Sequence, residues 1–210
     1  MTLAITLIFL AMVAAMAWNN AKSRTPESVA LAMDQEWKKT ADSLGLEHRR
    51  TGDGELDHEI VGLINGHDLR VTPSEFMISF RPTDAPDMLV LKQRRLTGRL
   101  LDEPRPDAER PPRSFDELVE VVANDEAAAE RFLTPERRAA LEPIYNHRHL
   151  GDIDVARTFI EATTYLSRLP PGHQEGAAPA KYKPLQLPQI GPIVSLLAAA
   201  ADALASPQDR

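Results

Sequence analysis

The chain has 210 residues, a formal net charge of −7 and no cysteine. That length holds one ordinary domain with appendages and is cramped for two. The acidic balance argues against nucleic acid as a partner, and the missing cysteine removes disulfides, thiolate nucleophiles and cysteine metal ligands.

The first element is apolar. Residues 2–18 carry no charged side chain, and Leu3, Ile5, Leu7, Ile8, Phe9, Leu10 and Val13 together favour insertion into lipid by ~2–4 kcal/mol on the translocon scale. Trp18 closes the run, as an interfacial belt would. A transmembrane anchor is expected over 1–20 and a juxtamembrane segment over 21–24, with membrane lipid as the first partner. Ala15-Met16-Ala17 also fits a signal-peptidase site, so a cleaved and exported soluble domain is the competing reading. The charges oppose it: no cation precedes the apolar run, while Lys22 and Arg24 follow it directly. That asymmetry places the N-terminus outside and the C-terminal domain in the cytoplasm.

An α+β domain is expected over 25–170. Thr25 caps a helix, Pro26 takes its first position and Gly45 stops it; Val29, Met33, Trp37, Ala41 and Leu44 form its apolar stripe. Thr51-Gly52-Asp53-Gly54 reads as a plain turn. Asn65-Gly66 is a type I′ hairpin signal that sets Ile64 opposite His67, Gly62 opposite Leu69 and Ile60 opposite Val71. Phe76, Ile78 and Phe80 alternate as a third strand and 88–91 as a fourth, which predicts an antiparallel meander packed with helices. Four prolines among mixed charges make 101–114 a loop.

Farther on, Leu118, Val119, Val121 and Val122 predict a strand, 126–133 a short helix, and Thr134-Pro135-Glu136 the start of a helix running to about Tyr145. Residues 153–168 fit either a strand or a helix stripe, with their β-branched side chains favouring strand. A Pro-rich linker follows over 171–189, then a C-terminal helix over 190–206 with Ile193, Leu196, Leu197, Ala200 and Leu204 on one side.

Chemistry is sparse. His147 and His149 share a side if extended, and Asp152 and Asp154 would complete a carboxylate–histidine metal set. The spacing is common, however, and the remaining histidines are scattered, so a surface loop is the simpler reading. No serine sits in G-x-S-x-G and no glycine run forms a phosphate loop. Lys92, Arg94, Arg95 and Arg99 suit either anionic headgroups or a charged, solvated edge strand, the latter being preferred. No catalytic residue is nominated and neither a cofactor nor a metal is called for.

The order of Trp37, Leu44-Gly45-Leu46, Gly62 with Asn65-Gly66, Phe115-Asp116 and the run from Phe132 to Arg138 resembles bacterial single-pass membrane-anchored proteins of unknown function, over residues 30–165. The resemblance implies an α+β domain on a single anchor and transfers no active-site residue. The expectation is a membrane-anchored binding or scaffold domain with an unidentified protein partner. The alternatives are a hydrolase or metal-dependent enzyme around His147 and His149, or the exported domain.

Overall fold

The computed structural model describes residues 26–52, 57–82, 84–94, 112–147, 149–164 and 187–205. The expected anchor, with Leu3, Ile5, Leu7, Ile8, Phe9, Leu10, Val13 and Trp18, lies outside the described residues, as do Arg95, Arg99 and the Pro-rich stretch before Leu187.

Helix α1 (Pro26–Leu44) ends as its sequence demands. Gly45 takes a left-handed φ of +69°, which lets the Leu46 N–H turn back onto the Ala41 carbonyl at 2.9 Å. Of the stripe, Met33, Trp37 and Ala41 are buried and Leu44 packs against the core; the side chain of Val29 lies outside the described residues. A short strand that sequence patterning does not announce, β1 (Glu47–Arg50), follows at once.

Strands β2 (His58–Ile64) and β3 (His67–Val71) form the hairpin in the expected register, with Ile60 opposite Val71, Gly62 opposite Leu69 and Ile64 opposite His67. Asn65 and Gly66 both have positive φ, the geometry that makes Asn-Gly a type I′ turn. β4 (Glu75–Ser79) pairs antiparallel with β3 and buries Phe76 and Ile78 on the same face.

The meander stops there. β5 (Leu89–Gln93) forms but does not join β4. The connection between them carries Pro82 and Pro86, which disfavour a tight hairpin, and it holds Asp84 out to meet Arg137. The place beside β4 is taken by a later hairpin, β7 (Ile153–Ala156) and β8 (Phe159–Thr163), so the described part of the ambiguous stretch, 153–164, holds two strands, while 165–168 lie outside the described residues.

The segment from Phe115 divides. Glu117 accepts a hydrogen bond from the Ser114 N–H at 3.1 Å and starts a single helical turn, α2 (Phe115–Leu118), so only β6 (Val119–Ala123) is strand. Among the described residues the sheet is eight-stranded and antiparallel throughout, ordered β1-β2-β3-β4-β8-β7-β5-β6. β5, which carries Lys92, is thus an interior strand and not the edge expected of it; β6 is the edge.

Three helices complete the described fold. α3 (Glu126–Phe132) is capped by Asp125, which accepts from the Ala128 N–H at 2.9 Å. α4 (Pro135–Tyr145) is capped by Thr134, with Pro135 in its first turn as expected. A 3₁₀ turn (Leu187–Gln189) leads into α5 (Ile190–Leu204), which packs against α4 and across β4 and β8.

The span from Leu187 to Leu204 is the one described helix long and apolar enough to cross a membrane, and it lies toward the C-terminus. Half of it is buried within the domain. Ile190, Ile193, Val194, Leu197 and Leu204 are inside the core, each contributing about 1.5–3 kcal/mol by burial. Lifting the helix into lipid would forfeit that packing and expose the sheet beneath, so the helix functions as a core element.

Candidate functional site

Strand alternation gives the sheet two different faces. Ile60, Leu69, Val71, Phe76, Ile78, Ile160, Ala162, Ile153, Val155, Leu89 and Leu91 point inward under the helices and are buried. Their neighbours point the other way, onto a face that carries no helix among the described residues. Register places Val61, Arg70, Met77, Glu161, Asp154, Lys92 and Glu120 in one row across that open face. Leu63, on the same face, is 65% exposed. Burial pushes the Glu161 carboxyl above its ordinary range, and the negative charges of Glu75 and Asp154 add to the effect.

The inward face holds a polar constellation at its β1–β2 end. His48 lies opposite Ile60 and Arg50 opposite His58, so the two histidines are diagonal neighbours on one face of the pair, close enough for their rings to meet. His48 Nε2 and His58 Nδ1 are 3.0 Å apart. The ring centroids are separated by 5.3 Å, which leaves about one ring radius on each side of that contact, so the two nitrogens point at one another. Trp37 stacks on both imidazoles, with centroids 5.4 Å from His58 and 6.4 Å from His48.

Asp34, one turn before Trp37 on α1, completes the group. One of its oxygens and one nitrogen of each histidine all lie within 4.8 Å of one another. His58 is only 3% exposed, while Asp34 and His48 are half-buried. Burial holds both imidazoles below the ordinary histidine range, with neighbouring cations helping and Asp34 opposing. Both shifts favour the uncharged imidazole, in which one N–H can be shared between the facing nitrogens. Trp37 Nε1 is buried without a hydrogen-bond partner.

The histidines singled out by sequence are arranged differently. The rings of His147 and His149 are 5.7 Å apart and tilted by 51°. The His149 N–H donates to His147 Nδ1 at 3.4 Å, a local contact within the turn after α4. Asp154 lies on the open face, in register with Glu161 and Lys92, because its neighbours Ile153 and Val155 take the inward positions. The set of His147, His149, Asp152 and Asp154 therefore does not converge, and among the described residues the group that does is Asp34, His48 and His58. Of the basic stretch, Lys92 is exposed on the open face and Arg94 donates from Nε to the Val119 carbonyl at 2.8 Å, fastening β5 to β6.

A second buried polar centre lies at the other end of the core. Arg137 forms a bidentate pair with Asp84 (2.9 and 3.1 Å), donates to the carbonyls of Phe132 (2.8 Å) and Ala203 (3.1 Å), and lies 4.1 Å over the Phe132 ring. It ties the β4–β5 connection, α3, α4 and α5 together.

No protein-family model matches the chain, and no curated protein matches it. Among solved structures it is similar to the crystal structure of the mycobacterial trehalose monomycolate transport factor A, with a TM-score of 0.47 and 12% identity over 84% of this chain and 97% of that one. At that score the likeness carries no argument about what this chain does.

Proposed function

We propose that the chain is a membrane-tethered domain that acts on the cytoplasmic side by binding a protein partner on the open face of its sheet. The observation that supports this is the sheet face that carries no helix among the described residues. It offers exposed Leu63, half-buried Met77 and Phe159, and the acidic trio of Glu75, Glu161 and Asp154 within one surface. A partner bringing a cation to Glu161, flanked by apolar side chains, would relieve the repulsion there while covering the apolar residues. The tether comes from the apolar opening residues and the cations that follow them.

Site-specific photo-crosslinking in intact cells tests it. A crosslinker at Leu63 or Met77 is expected to trap one protein in the membrane fraction. One at Leu31, 60% exposed on α1, traps none. Glu161→Lys should abolish the adduct. An intramolecular crosslink at Leu63, or equal labelling from Leu31, overturns the binding face. A mature chain that begins at Trp18 in a periplasmic or culture fraction overturns the tether.

A further inference from the structure

We infer that Asp34, His48 and His58 form a binding site for one divalent transition-metal ion of the zinc type, which fastens α1 to the β1–β2 edge of the sheet. The inference is independent of the partner-binding reading and uses the opposite face of the sheet.

The donors come from three elements, α1, β1 and β2, and the fold already gathers them within 4.8 Å. Two imidazoles and one carboxylate, with no thiolate, suit Zn²⁺ and neighbouring first-row ions. Ca²⁺ and Mg²⁺ prefer all-oxygen shells, and Cu(I) prefers sulfur.

Distance decides in the same direction. Two nitrogens bound to a tetrahedral zinc at 2.0–2.1 Å stand about 3.3 Å apart. The facing nitrogens here are 3.0 Å apart, close to that spacing, and each ring turns in its own plane by about 35° to aim its lone pair at an ion beside the line between them, while the Asp34 carboxylate closes in from within 4.8 Å. The ion takes the place of the shared proton. The ring that donates in the facing pair carries its proton on the outer nitrogen instead, and each imidazole binds through its unprotonated facing nitrogen. Asp34 supplies the third bond and cancels one of the two positive charges.

Trp37 stacks on both rings and fixes their planes, as an ion-binding pair needs. Three protein donors leave one position for water, so the site exchanges its ion more readily than a closed four-ligand zinc site.

The test uses the full chain in detergent, without a polyhistidine tag, stripped by a chelator and titrated with Zn²⁺ against a chromogenic competitor. One Zn²⁺ per chain is expected. Asp34→Asn and His48→Gln should each weaken binding by more than about 100-fold, since even groups that only orient a ligand cost about 10–100-fold. Both positions are half-buried, so both variants should retain the wild-type far-UV circular dichroism. A double change of His147→Ala and His149→Ala should leave binding unaltered. Zn²⁺ at 100 times its Kd should raise the wild-type Tm by about 5–10 °C. The inference is overturned if the folded wild type takes up no Zn²⁺, if binding survives both Asp34→Asn and His48→Gln, or if the His147/His149 change removes it.

Discussion

Arg137 and His58 are both charged-type side chains buried in an apolar core, at 8% and 3% exposure, and the fold treats them in opposite ways. Arg137 is surrounded by acceptors: a carboxylate across its fork, two backbone carbonyls and an aromatic face. Its bonding capacity is spent on tying four parts of the chain together. His58 faces His48 across one shared proton, with Asp34 nearby and a tryptophan stacked on both rings. That arrangement retains donor atoms able to turn to a ligand. A buried polar group that is fully bonded is a fastener; one that shares a single proton between two nitrogens is closer to a site.

Substitutions can break this contrast. The largest effect is expected from Arg137→Ala, which strands the Phe132 and Ala203 carbonyls and frees the β4–β5 connection. Urea denaturation should show a loss of about 2–4 kcal/mol, below the range for a fully buried pair because Asp84 stays half in water. A loss under 0.5 kcal/mol would mean that Arg137 fastens nothing. His48→Ala, measured in the presence of a chelator, leaves the His58 nitrogen buried without its partner and should cost about 1–3 kcal/mol. An unchanged midpoint would show that the facing nitrogens are not bonded.

Thr134→Ala sharpens the contrast on the Arg137 side, because Thr134 accepts from the Arg137 N–H and starts the helix that carries it. About 1 kcal/mol should be lost, with Thr134→Ser retaining most of it.

Glu161 gives the smallest effect and the one with a pH signature. Its carboxyl is held above the usual range in the folded chain, so protonation favours folding. That contribution is fully present below the unfolded value near 4.3 and is lost as pH rises through the folded value. Glu161→Gln should therefore raise Tm by about 1 °C at pH 7 and change nothing below about pH 4. A destabilising effect at pH 7 would reverse the assignment and show that the charged carboxylate is wanted on the open face.

Local signals in the sequence specify structure where the physics is local. Asn65-Gly66 specified both a turn and a register, because few residue pairs tolerate positive φ twice in succession. Thr134-Pro135 and Gly45 marked helix ends through one hydroxyl, one fixed φ and one missing Cβ. The order of strands was not legible. Strand alternation says which face a side chain takes and nothing about which strand lies alongside, so β5 was expected beside β4 although the β7–β8 hairpin holds that place.

The histidines show the same limit. His147 and His149 are close in sequence and make only a local turn contact, whereas His48 and His58, ten positions apart, meet because β1 and β2 pair between them. The signal that could have found them was the turn at Thr51-Gly52, which, once read as joining two strands, sets both histidines on one face.

By itself, then, the sequence determined most element types but not β1, the turn α2 or the two strands β7 and β8, together with many element ends, the hairpin register and the apolar opening segment, all governed by contacts within a few residues. Tertiary structure alone decided the strand order, the burial of α5 in the core, the open sheet face and the meeting of Asp34, His48 and His58. These depend on which surfaces cover one another when the core closes, and that is a property of the whole chain.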